Sequence, residues 1–234
     1  MIEFVATLFW SIDWKAAGGV LFGATISATV SYLLQRNSFA EARRQKAADK
    51  RDDRRTLGLN VLTKMMRIAS TIELLKQSLD RAFAQAAATG VKSPPWAIVI
   101  PLANFPGKVH FEPKELTEIM KLDFDLFNNL GPFDDIHNTL IDVFEMYRSD
   151  RGALTSILRA DMEGGLGRAE FTAEEMRVLG PKMAALNALI DGMVKRTTED
   201  AKEAWELLQR LQDALNREYD LKLALERKTP THQM

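Results

Sequence analysis

The chain has 234 residues, 46% hydrophobic and 27% charged, which is enough for one globular domain plus an anchor but short for two. A formal net charge of −1 argues against a surface built throughout to neutralise a nucleic-acid backbone. The absence of cysteine excludes disulfides, thiolate zinc sites, iron–sulfur clusters and cysteine nucleophiles, and three histidines (His110, His137, His232) are too few for a histidine-rich metal centre.

Residues 1–15 begin MIEFVATLFWSI, an apolar and aromatic stretch that fits an extracytoplasmic or interfacial position. From Ala16 to Leu34 the sequence AAGGVLFGATISATVSYLL carries no charge. At ~1.5 Å per helical residue, this length matches a bilayer core of ~30 Å. Residues 16–35 are therefore expected to form a transmembrane helix, with Trp10, Trp14 and Tyr32 near its two headgroup zones. A signal peptide would carry its bases ahead of the apolar run, whereas here they follow it. A buried helix of a soluble protein is the competing reading, because Gly, Ala, Ser and Thr keep the segment only weakly apolar.

Gly19, Gly23, Ser27 and Ser31 recur every four residues, a small-residue stripe that lets helix backbones approach closely in lipid. Gly18, Thr25 and Thr29 fall on roughly the opposite side, so two contact faces are expected, more than a simple dimer needs.

Residues 36–56 form the expected basic juxtamembrane helix. Between Arg36 and Arg55 eight bases face four acids, Glu41, Asp49, Asp52 and Asp53. The bias places the N-terminus outside and the remainder in the cytoplasm, at the cell (inner) membrane, with Arg36, Arg43, Arg44 and Lys46 expected at lipid headgroups. Stacking aromatics among the bases are reduced to Phe39, so no nucleic-acid partner is expected.

Residues 57–228 read as a helical bundle. No Gly or Pro intervenes between Gly23 and Gly58, so the span is expected to run on as one long helix. Its apolar face is Leu59, Leu62, Met66, Ala69, Ile72, Leu75, Leu79, Ala82 and Ala86, and it should stop near Gly90. Pro94, Pro95, Pro101 and Pro106 punctuate a long connection, the first place to look for a partner surface, in which Trp96–Ile100 is apolar and β-prone. A second helix is expected from Pro113, with Leu116, Ile119, Met120, Phe124 and Phe127 inward, ending at Gly131-Pro132. A third carries Phe133, Ile136, Leu140, Phe144, Tyr147, Leu154 and Leu158, closed by Glu163-Gly164-Gly165. The last starts at a Thr172–Glu175 capping box and should break or kink early at Gly180-Pro181. It then holds Leu186, Ile190, Met193, Thr197, Ala201, Ala204, Leu208, Leu211, Leu215 and Tyr219 in a three-four rhythm, expected to pair with the first cytoplasmic helix as in a coiled coil. Residues 229–234 are a polar tail expected to fray.

The fold class is thus all-α: a single N-terminal transmembrane helix, then an elongated antiparallel cytoplasmic helical bundle with coiled-coil-like long helices. Tests for chemistry come back empty. Asp134 and His137 have carboxylate–imidazole spacing, but a bundle metal site needs a second such pair, so the acids are read as helix N-terminal charges. Arg227 and His232 have a spacing similar to that of HEPN-type ribonucleases, over six residues only and with Pro230 between them. Gly164-Gly165-Leu166-Gly167 with Arg168 lacks the strand-turn-helix context of a phosphate loop and is read as a flexible helix connection. No catalytic residue, metal or cofactor is assigned, and the chain is not expected to be an enzyme. The expected function is a membrane-anchored scaffold or interaction protein, a homo-oligomer through its span, in contact with membrane lipid and a cytoplasmic protein. The alternative is an oligomeric membrane effector or small channel gated by the bundle.

Overall fold

The computed structural model describes the backbone of residues 14–158, 161–163, 166–168 and 171–226, with side chains from residue 31 onward except Leu33 and the 161–168 segment. Among the described residues the regular structure is helical apart from one small hairpin: α1 (Trp14–Ala88), α2 (Pro95–Ile98), α3 (Pro113–Leu122), α4 (Phe124–Leu130), α5 (Phe133–Ile157), β1 (Asp161–Glu163), β2 (Leu166–Arg168) and α6 (Ala173–Tyr219). Two compact units divide at Arg54 and Arg55.

In the first unit the backbone is helical from Trp14, with no glycine or proline after Gly23 to interrupt it. Every residue from Leu34 to Asp53 is exposed. Among the described residues no helix is long and apolar enough to cross a membrane. Most of the uncharged stretch 16–34, including Gly19, Gly23 and Ser27, has side chains outside the described residues, as do residues 1–13 and the tail 227–234.

The second unit is built on one core. Along α1, Val61, Leu62, Met65, Ile68, Ile72, Leu75 and Leu79 are buried. Met66, expected inward, is 41% exposed, because Val61, Met65, Ile68 and Ile72 keep a tighter stripe and Met65 takes the inward place. Gly58 lies against α6: a Cβ placed on it would meet Leu215 Cδ2 at 2.5 Å. The helix ends as expected, with Gly90 at φ 67° and Val91 N–H donating to the Ala86 carbonyl.

The apolar run Trp96–Ile100 is no strand. Pro95 starts a single helical turn that turns Trp96 inward, and Val99 follows it into the core while Ile100 stays out. The helix expected from Pro113 is two. Asp123 adopts an extended φ of −158° and caps α4 by accepting from Leu126 N–H at 2.8 Å. That break resets the helical phase, so Leu126 and Leu130 are buried while Phe124 is 61% exposed.

Helix α5 ends at Ile157, short of the expected Glu163, because β1 and β2 pair antiparallel with Glu163 opposite Leu166. Helix α6 begins at the Thr172–Glu175 capping box and continues through Pro181. The proline removes one hydrogen bond to the Arg177 carbonyl on an exposed turn, where that carbonyl is open to solvent. All ten residues expected inward on α6, from Leu186 to Tyr219, are buried. Its most extensive contact is with α5, and α1 joins through Gly58.

Candidate functional site

Two regions are candidates: the exposed stretch of α1 and the proline-rich connection between α1 and α3. On α1, Ser31 is exposed, and Arg36, Arg43, Arg44 and Lys46 are exposed on successive turns. Tyr32, Leu34 and Phe39 are 64%, 65% and 59% exposed, an apolar group on a bare helix beside the first bases. Exposed apolar side chains grouped in this way are a feature of surfaces that meet a partner or a membrane.

The connection from residue 91 to 112 is tied down at many points. Trp96 N–H donates to Asn187 Oδ1 at 3.0 Å, and the Trp96 carbonyl accepts from Arg151 Nε at 3.0 Å and from the Tyr147 hydroxyl at 3.2 Å. The Tyr147 hydroxyl also donates to the Val99 carbonyl at 2.6 Å, and burial pushes its ionisation up to about 12. Arg148 donates to the Ala103 carbonyl and stacks over Phe105, 4.6 Å from the ring centre. Asn138 holds Val109, and Asp134 accepts from Phe111 N–H at 3.1 Å. A segment without regular ladders has its buried backbone groups satisfied by side chains of α5 and α6. This loop is architecture first.

His137 is fully buried beside this latch. Its Nδ1 lies 3.1 Å from Asn138 Oδ1, an oxygen that also accepts from Val109 N–H, so Nδ1 is the protonated nitrogen. Nε2 then carries a buried lone pair with no hydrogen-bond partner. Desolvation lowers the ionisation of His137 below its ordinary value, against smaller raising effects from Asn138 and Asp134. The Asp134–His137 pair therefore divides into a helix-terminal carboxylate and a neutral core imidazole. Among the described residues no group of three or more His, Cys, Asp or Glu is placed to hold a metal ion.

Two further carboxylates are inside. Glu115 accepts from Lys64 Nζ at 2.7 Å and from Glu112 N–H at 2.7 Å, and Glu118 accepts from the Tyr219 hydroxyl at 3.2 Å. They join α3 to α1 and α6 as buried side chains. An open groove between Asn129 of α4 and Glu199, Lys202, Glu203, Glu206 and Arg210 of α6 mixes both signs of charge and contains no nucleophile–base arrangement. Arg227 and His232 lie outside the described residues, and so do Gly164 and Gly165; Leu166–Arg168 is a hairpin strand rather than a flexible connection.

The chain matches no protein-family model, no curated protein and no solved structure. What the described residues define is a class: a predominantly helical bundle from Arg55 onward, in a chain whose other compact unit carries an exposed, charged helical stretch from Leu34 to Asp53.

Proposed function

We propose that the protein is a single-pass membrane-anchored scaffold, its N-terminus outside and its bundle in the cytoplasm of the cell (inner) membrane. The observation that carries the reading is the succession along one uninterrupted helix: nineteen uncharged residues, Ala16–Leu34, then a basic stretch exposed at every position to Asp53. Uncharged helix of this length is stable in hydrocarbon, where its backbone groups satisfy one another, and the bases that follow hold the cytoplasmic side.

Arg36 then sits at headgroup level. Arg43, Arg44 and Lys46 are carried about 13–18 Å beyond Leu34 at 1.5 Å per residue, to the outer limit of the membrane's electrostatic reach, given a headgroup layer of several ångströms and a screening length of about 8 Å. Self-association uses the stripe Gly19, Gly23, Ser27 and Ser31. The abundance of packing pattern in the bundle supports a partner-presenting role in place of catalysis.

Extraction of membranes with alkaline carbonate tests the anchor. The intact chain should remain in the pellet, and recovery in the supernatant overturns the reading. Crosslinked oligomers should weaken when Gly23 and Ser27 are replaced by leucine. A second reading, an oligomeric channel or membrane effector, is favoured by the hydroxyl-bearing faces of the span, Thr25 and Thr29 opposite Ser27 and Ser31. Conductance of the purified protein in planar bilayers would separate it from a scaffold.

A further inference from the structure

The bases on the exposed part of α1 ahead of Arg51 are Arg36, Arg43, Arg44, Lys46 and Lys50. Three of them have an acid three residues away, Glu41 for Arg44, Asp49 for Lys46 and Asp53 for Lys50, a spacing at which helical side chains are neighbours. Arg36 and Arg43 have no acid at three or four residues in either direction, and neither forms an ion pair with another described residue. These two guanidinium groups share a face with the exposed rings. At about 100° per residue, Tyr32, Arg36, Phe39 and Arg43 fall within an arc of about 60°. With Gln35 and Ala40 they line one shallow groove along the helix, ring and base alternating from turn to turn.

We infer that this groove holds an anionic phospholipid, its phosphate between the Arg36 and Arg43 guanidinium groups and its glycerol and first acyl carbons against Tyr32 and Phe39. The inference rests on the membrane-anchored reading above and divides the four bases expected at headgroups: Arg36 and Arg43 make the site, while Arg44 and Lys46 add only to the local field. Depth fits the assignment. At 1.5 Å per residue Arg36 lies about 3 Å and Phe39 about 7.5 Å past Leu34, across a headgroup layer about 5–8 Å deep. Arg43 follows at about 13.5 Å, but helical side chains lean toward the helix N-terminus, which here is the membrane end, so its guanidinium returns toward that layer.

The chemistry fits as well. A guanidinium offers a planar fork of N–H donors matched to phosphate oxygens, and the two rings supply the apolar contact that separates a lipid from a free phosphate. An acidic helix of another protein is the competing occupant. Laid along the same face it would next meet Lys46 and Lys50, each of which already has an acid of its own chain within helical reach, so the uncompensated charge is concentrated at the membrane end.

Native mass spectrometry tests the site on the full chain, purified in a mild non-ionic detergent and titrated with phosphatidylglycerol or phosphatidylcholine. The parent should hold a single phosphatidylglycerol at concentrations that leave phosphatidylcholine unbound. Arg36→Gln with Arg43→Gln should weaken phosphatidylglycerol about tenfold or more, the loss expected on removing two charge-assisted contacts. Arg44→Gln with Lys46→Gln removes the same charge at nearly the same depth and should change retention by less than about twofold. Phe39→Ala should weaken the lipid with both arginines in place, and excess glycerol 3-phosphate should not displace it. All of these positions are exposed, so thermal unfolding of the variants should match the parent. Equal losses from the two charge pairs, or equal retention of phosphatidylcholine, would overturn the inference in favour of diffuse attraction. Displacement by glycerol 3-phosphate would overturn it in favour of free phosphate. If the Arg36 and Arg43 changes dissolve crosslinked oligomers while lipid retention is untouched, a second copy of the chain occupies the groove and the inference falls. Carbonate extraction separates site from premise: a chain in the supernatant defeats the anchoring, and a pelleted chain whose lipid retention ignores the groove defeats only the lipid site.

Discussion

The side chain of Asn138 grips the backbone of Val109 at both polar atoms, accepting from its N–H at 3.0 Å and donating to its carbonyl at 2.8 Å. Both residues are buried, so the amide replaces the ladder partner that an irregular segment lacks. Asn138→Ala should strand two buried backbone groups and cost about 2–4 kcal/mol. Urea unfolding of the full chain measures it, and Asn138→Asp, which keeps the acceptor and loses the donor, should be better tolerated only when protonated at low pH. The same device recurs where Asn216 grips Leu223 at 3.0 Å on both atoms, with Gln212 donating to the same carbonyl.

Gly58 and Gly152 should respond to alanine with opposite signs. A methyl at Gly58 runs into the buried Leu215 side chain, an overpacking that should cost about 1–3 kcal/mol. Gly152 is exposed within α5 with open space around it, so Gly152→Ala should add about 0.5–1 kcal/mol through helix propensity. Thermal unfolding of the two variants against the parent reads both.

Acid should weaken the bundle through His137. Its ionisation in the folded state lies below the 6.5 of an exposed histidine, so the unfolded chain binds the proton more readily. The stability held by the neutral imidazole is complete above pH 6.5 and is lost as pH falls from there toward the folded value. In His137→Gln the slope of unfolding free energy against pH just below 6.5 should flatten.

Asp200 should act in the reverse direction. Burial raises its ionisation above the ordinary 3.8, with opposition from Arg196 and smaller reinforcement from Glu203 and Glu199. The folded chain holds this proton more tightly than the unfolded one, so the charged carboxylate costs stability at neutral pH. Asp200→Asn should therefore be more stable than the parent at pH 7, with the gain shrinking as pH is lowered through the folded value toward 3.8. Unfolding curves at several pH values would show the two variants diverging in sign.

The Lys64–Glu115 pair should be strongly non-additive. Glu115 has a side chain only 3% exposed, so Lys64→Met leaves a nearly buried carboxylate with one neutral donor and should cost about 2–4 kcal/mol. Replacing both residues by methionine should cost less than the single change, which a double-mutant cycle would detect.

The legibility of these features in the sequence varied with their physical origin. The inward face of α6 could be read in full because a single uninterrupted period governs it, and the capping box at Thr172 has a fixed spacing. On α1 two methionines stand side by side, and periodicity alone does not rank Met65 above Met66. Asp123 looks like an ordinary helical residue until its extended backbone is seen, and that one dihedral angle exchanges Phe124 for Leu126 in the core. The hairpin at β1 and β2 is three residues per strand, too short for alternation to register. Asn138, Tyr147 and Asn187 went unremarked as anchors of the connection; the available signal was a polar side chain on the apolar stripe of α5, which only a buried hydrogen bond justifies. For the exposed stretch of α1 the order of uncharged and basic residues was plain from the sequence.

That no residue from Leu34 to Asp53 is covered by the protomer has an evolutionary corollary. Substitutions there carry almost no folding penalty, since they neither open a void nor orphan a donor. Descendant sequences can therefore vary this stretch freely while the bundle from Arg55 onward keeps its architecture, so sequence drift and foldability fall on separate stretches of one polypeptide.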